Sequence, residues 1–228
     1  DDIEVVASYD VDVDKIDKTV YDIAVKVFPR EQVSPKLKDI VVRKGIHLNS
    51  LKGLPFKAEG REEGRGLSEA IYELVDEWRE LDVDVVVNVI TTEHVEPFNN
   101  KELLLKSVES GNMTASQAYA YALTIYSRKY KPAAFINCIP SPIANDDAFV
   151  ELYRESRAVV FGDDGATGAT PLTVDILEHM YERNRRVLDI AQFNIGGNTD
   201  FLSLDIPERN IMKRVTKSGV VKDILGYD

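Results

Sequence analysis

Apolar residues recur along this chain with two different periods, and the change from one to the other marks out its elements. Leu67, Ile71, Leu74, Val75, Trp78 and Leu81 fall at helical spacing and predict a helix with one buried face. Near-continuous apolar runs predict strands covered on both faces, as in a parallel sheet: Val85-Val86-Val87-Asn88-Val89-Ile90, Ala133 to Ile139, and Val159-Val160-Phe161. Ile3 to Tyr9 has the same character. Between Pro29 and Gly66 the period fails, prolines and glycines punctuate the chain, and one short strand near Ile40 to Leu48 is expected. Thr114-Ala115-Ser116-Gln117 matches a capping box that opens a helix to about Tyr126. Asn145-Asp146-Asp147 caps another through about Glu155, and a helix from Val174 to Arg186 leads to a strand from about Val187 to Asn194. This alternation predicts an α/β fold, a parallel sheet with crossover helices, with no internal repeat and no low-complexity linker.

Charge and cysteine content narrow the function classes. Lys and Arg number 28 against 39 Asp and Glu, a net charge of −11, which argues against nucleic acid or an anionic membrane as a partner. The single cysteine, Cys138, excludes an internal disulfide and suits a reducing cytoplasm. No apolar run approaches the roughly 20 residues that span a bilayer. The chain opens at Asp1 without an initiator Met, so residues upstream are expected.

The candidate chemistry gathers between Ala158 and Phe201. Gly162-Asp163-Asp164 sets two carboxylates at the carboxyl end of a predicted strand, the end at which α/β sheets bind ligands. The turn from Gly165 to Thr170 has small side chains and free N–H groups that suit a phosphate or carbonyl oxygen. From Gln192 to Phe201, Asn194, Asn198 and Asp200 surround a glycine pair. Each piece alone has a plainer explanation in turn chemistry. Asp10, ending the first predicted strand, is a candidate acceptor for ribose hydroxyls, against the plainer reading of a loop Asp; no Gly-x-Gly-x-x-Gly precedes it. Asn88 and Asn137 interrupt apolar runs and need partners, which a cofactor amide or backbone would supply, and Thr91 stands in a loop facing the same edge. Cys138 is expected to be a small buried thiol, and His47, His94 and His179 are too scattered for a zinc site. Lys213 and Lys217 share a face if helical, a pair that gains nothing unless an anion lies between them.

Taken in order, the strand, Gly162-Asp163-Asp164, the small-residue turn, the helix and the phrase Asn194, Gly197, Asn198, Asp200 resemble the myo-inositol-1-phosphate synthase family, over nearly the whole chain. The resemblance implies a Rossmann-type parallel sheet with helices on both faces over residues 1–165, its first strand missing. Residues 166–228 would begin an α+β catalytic and tetramerisation domain. It implies NAD as a recycled redox catalyst and glucose 6-phosphate as substrate: oxidation at C5, enolisation, aldol closure onto C1 and re-reduction give a myo-inositol phosphate, a precursor of inositol phospholipids. Lys213, Lys217, Asp164, Asn198 and Asp200 would be catalytic. Asp10, Asn88, Thr91, Asn137, Asp163, Thr167 and Asn194 would bind the cofactor. The resemblance allows a divalent cation beside the paired aspartates, gives no protein metal-ligand set, and implies a homotetramer. Where the family continues Gly-Asp-Asp with Lys-Ser and a longer turn, this chain has Gly165-Ala166-Thr167, so Thr167 stands for the serine and the lysine is gone. Further family lysines are expected downstream of Asp228. The alternatives are an NAD-dependent dehydrogenase of a polyol or sugar phosphate and a non-catalytic dinucleotide-binding protein.

Overall fold

The computed structural model describes residues 3–48, 50–166, 168–193 and 199–227, the side chains of Thr199 and Asp200 aside. Its elements run β1 (Ser8–Asp10), α1 (Val20–Ala24), β2 (Val42–Lys44), α2 (Leu67–Glu80), β3 (Val85–Asn88), α3 (Lys101–Ser110), α4 (Ala115–Lys129), β4 (Ala134–Asn137), α5 (Asp147–Ser156), β5 (Val159–Phe161), α6 (Thr170–Glu182), α7 (Thr199–Leu202) and α8 (Pro207–Leu225). The architecture is mixed α/β, with parallel sheets flanked by helices. β1 pairs with β2 in one sheet, and β3, β4 and β5 form another in that order. Residues Asn88 and Asn137 pair in register at the carboxyl ends of β3 and β4.

The core lies where α2, α4 and α5 pack on one face of the three-stranded sheet. Trp78, Leu123, Tyr126, Phe135 and Phe149 are completely buried there, Trp78 meeting Tyr126 edge-on at 6.3 Å between ring centres. The predicted helical stripe of α2 is therefore the buried stripe, as its 3.6-residue period requires. The capping box of α4 is formed in both directions between Thr114 and Gln117. Asp146 caps α5 through Ala148 N–H and also accepts from the backbone of Phe98 and Asn99, pinning the entry to α3. α3 has no counterpart in the periodicity reading. Three successive leucines, 103 to 105, blur its stripe, and only Leu104 of the three is buried.

Four expectations change. The strand from Ile3 shrinks to Ser8–Asp10, with Ile3 exposed, because among the described residues only β2 pairs with it. The runs in β3 and β5 are not buried on both sides: Val85, Val87, Val159 and Phe161 alternate onto a face left largely in solvent, and Cys138 is half-buried rather than enclosed. Val187 to Phe193 forms no strand. Val187 exchanges hydrogen bonds with the Tyr227 hydroxyl, and Leu188 and Phe193 are exposed, since among the described residues no strand pairs with this apolar run. Among the described residues no helix is long and apolar enough to cross a membrane.

Candidate functional site

The carboxyl ends of the strands carry a continuous polar network. Asn88 and Asn137 are buried, and their carboxamides meet across β3 and β4, Asn88 Nδ2 donating to Asn137 Oδ1 at 2.9 Å. Asn137 Nδ2 donates in turn to the Ser141 carbonyl at 2.7 Å and to Asp163 Oδ1 at 2.9 Å. The partners of these two asparagines are thus supplied by the protein itself. Asp163 also accepts from Ala144 N–H, Asn145 N–H and the Asn145 carboxamide, so it fastens the loop after β4 to the end of β5. Gly162 precedes it because nothing larger fits: its φ is +150°, and a Cβ there would lie 2.7 Å from the Asn137 carbonyl.

Asp164 turns the other way. Its Oδ2 lies 3.3 Å from Lys217 Nζ, and the same ammonium donates to Thr170 Oγ1 at 2.6 Å. Lys217 is delivered by α8, which packs on α6, while Thr170 begins α6. Lys213 follows the same face of α8 one turn earlier, its ammonium 5.7 Å from the centre of the Phe201 ring. The lysines expected on one face are therefore helical, half-buried and engaged, and Lys217 is joined to the second aspartate of the Gly-Asp-Asp phrase across 53 positions of sequence.

A cleft of about 400 Å³ opens between the carboxyl end of β1 and the segment after β3. Asp10 and Thr91 stand on its walls, with Ile46, Leu51 and Phe56 supplying apolar surface. Asp10 accepts from Val11 N–H, Asp12 N–H and Lys15 Nζ at 2.8 to 3.0 Å. A carboxylate has about four acceptor positions, so one remains for a ligand hydroxyl. Apolar walls for a base beside an acceptor for a sugar hydroxyl fit the nucleoside end of a dinucleotide. Among the described residues no group of three or more His, Cys, Asp or Glu gathers to hold a metal ion. Thr167, Asn194 and Asn198 lie outside the described residues, as does the side chain of Asp200.

Two charged residues that the motif reading did not single out join these parts. Glu93, in the loop after β3, is buried against the amino end of α4, where it accepts from Ala115 N–H, Ser116 N–H and Ser116 Oγ. Burial raises its pKa, while those donors and the Arg209 charge oppose the rise. Arg209, in the first turn of α8, is buried too, and burial lowers its pKa. Its guanidinium donates to the carbonyls of Ser50, Lys52 and Thr92. One sign of it was present in the sequence: a cation in a helix's first turn opposes the helix dipole.

Comparison with known proteins agrees with the fold. The family model of myo-inositol-1-phosphate synthase matches residues 168–228. Inositol-3-phosphate synthases of Mycobacterium tuberculosis and Corynebacterium glutamicum are 27% and 29% identical over 96% of the chain, which spans 53% and 54% of their lengths. The chain thus spans about half the length of the curated relatives it matches. A crystal structure of a myo-inositol-1-phosphate synthase-related protein from Thermotoga maritima is 52% identical and superposes with a TM-score of 0.90, covering 100% of this chain and 60% of that one.

Proposed function

Since the chain belongs to the myo-inositol-1-phosphate synthase family, we propose that the protein isomerises glucose 6-phosphate to 1D-myo-inositol phosphate, in the synthesis of inositol and its phospholipids. The observation that carries the reading is the ion pair of Lys217 with Asp164 beside the Thr170 hydroxyl, at the carboxyl edge of the sheet. A bound nicotinamide dinucleotide supplies the temporary acceptance and the return of the hydride from C5.

The chain's own residues then have definable tasks. Asp10 would accept a ribose hydroxyl in the cleft beside Thr91. Lys217 would relay the proton of the C5 hydroxyl to Asp164 as that carbon is oxidised, losing one proton to the carboxylate as it gains one from the hydroxyl, and would reverse the transfer when the carbon is reduced, so the proton count closes over the cycle. Between those events a proton leaves C6 to water, which returns one to the C1 oxygen at ring closure. The charge that develops on the C5 oxygen is balanced by the Lys217 ammonium, whose position Asp164 and Thr170 hold in advance. The C6 carbon then bonds to C1, and the C1 oxygen takes up a proton, giving a ring isomeric with the substrate. Lys213 supports this chemistry with a second positive charge for the phosphate or the developing oxyanion. Asn88, Asn137 and Asp163 hold the loops at the strand ends in register. Asn194, Asn198, Asp200 and Thr167 keep the pocket roles that the resemblance implies. A homotetramer, and a divalent cation beside the paired aspartates, belong to the same proposal.

The test is incubation of the full-length protein with NAD and glucose 6-phosphate, followed by phosphorus NMR and absorbance of the reduced cofactor. An inositol phosphate with no lasting reduced cofactor supports the isomerase. Stoichiometric reduced cofactor with an oxidised sugar phosphate replaces it with a dehydrogenase, and binding without turnover with a dinucleotide-binding protein.

A further inference from the structure

We propose that Arg209 is a positioning residue that couples the cleft between β1 and β3 to the lysine-bearing face of α8, so that filling the cleft and binding an anionic substrate at Lys213 and Lys217 reinforce one another. The ligands named here rest on the function proposed above; the coupling itself rests on the contacts of Arg209.

Those contacts come from two loops far apart in sequence. Arg209 Nη2 donates to the Ser50 carbonyl at 2.7 Å and the Lys52 carbonyl at 3.1 Å, and Nη1 to the Thr92 carbonyl at 3.1 Å. Both loops are walls of the cleft: Ser50 and Leu51 line one side, and Thr91, next to Thr92, lines the other. One planar guanidinium therefore fixes the separation of the two walls, which a lysine's point charge could not do. A second contact fastens the same end of the helix. Ile206 lies over Gly53, where an added Cβ would come within 2.9 Å of Ile206 Cδ1, and Gly53 has a φ of +84°.

The placement also carries a cost, which three carbonyl partners and the nearby Glu93 charge offset. Arg209 occupies the first turn of α8, where the helix dipole disfavours a cation, and it is 6% exposed, with neutral carbonyls as its hydrogen-bond partners. What this arrangement provides is register. Lys213 follows one turn on and Lys217 two turns on, about 12 Å along the axis, where Lys217 meets Asp164. Any change in the spacing of the cleft walls reaches the lysines through a rigid helix anchored at both points. Sites joined by an element that both of them bias are coupled reciprocally.

The experiment measures glucose 6-phosphate binding to the full-length protein by calorimetry, with and without NADH, which cannot begin the oxidation. In the parent protein NADH should tighten sugar phosphate binding about fivefold or more. In Arg209→Met that ratio should fall to about one, with each ligand still bound separately, and Arg209→Lys should not restore it. Gly53→Ala, strained at a φ of +84° in the loop that supplies the Ser50 and Lys52 carbonyls, should lower the ratio as well. A ratio of one in the parent, or an unchanged ratio in folded Arg209→Met, overturns the proposal. Should Arg209→Met fail to fold, Gly53→Ala decides alone, an unchanged ratio again overturning it. If neither ligand binds the parent protein, the proposed function falls. Amide exchange over 211–218 then tests the anchoring: faster exchange in Arg209→Lys supports it, and parental rates sink it.

Discussion

At the scale of single residues, the structure separates groups that hold the site from those available to act in it. Tyr119 belongs to the first kind. Its hydroxyl accepts from Ile46 N–H at 2.7 Å in a buried position, and the space it fills is the space above Gly45, where a Cβ would lie 2.3 Å from that oxygen. Tyr119→Phe should cost about 1–3 kcal/mol in denaturant unfolding, the penalty of a buried unpaired N–H. Gly45→Ala acts on the same hydroxyl by displacing it. The double variant should therefore cost less than the two single costs added together, and simple additivity would show that the two positions do not share that contact. Lys217 belongs to the second kind. Lys217→Met should lower turnover of glucose 6-phosphate by about 10²–10⁴-fold while leaving the thermal midpoint near the parental value. A fall in both together would make the lysine a structural tie of α8 to α6.

At the scale of elements, the loop after β3 joins the sheet to the helix layer through one carboxyl group. Glu93 is buried with a pKa raised above its usual value near 4.5. Between those two values the folded state retains a proton that the unfolded state has released. Stability should therefore fall as pH rises through that window and level off above the raised pKa. Glu93→Gln should remove that slope, as read by unfolding midpoints from pH 4 upward. The helices show why some elements were legible and others not. α2 and α4 declare themselves by a six-residue stripe and a capping box, both local signals that the fold keeps. α3 hides because neighbouring leucines make no stripe, and the run after Val187 misleads because an apolar segment becomes a strand only beside another strand. The site divides in the same way. Gly162-Asp163-Asp164 could be located by motif, but that its two carboxylates face opposite ways, one to the loop after β4 and one to Lys217, depends on chain crossings no local pattern encodes.

At the scale of the whole molecule, two properties oppose each other. The face of the three-stranded sheet away from α2 and α4 presents Val85 at 47%, Val87 at 53%, Val89 at 71%, Val159 at 49% and Phe161 at 56% exposure, an apolar surface of the kind that self-associates. The net charge of −11 works against that association by mutual repulsion between copies. Salt distinguishes the two, because at about 1 M the screening length shrinks to about 3 Å while apolar attraction is kept. Light scattering of residues 1–228 should accordingly show little association in dilute salt and more at high salt. Val87→Thr with Phe161→Thr should abolish the increase, with a stability change within about 0.5 kcal/mol, as for substitutions on exposed surface. Association that grows with salt equally in the double variant would assign it to another surface, and association strongest in dilute salt would assign it to ion pairs between copies rather than to the sheet.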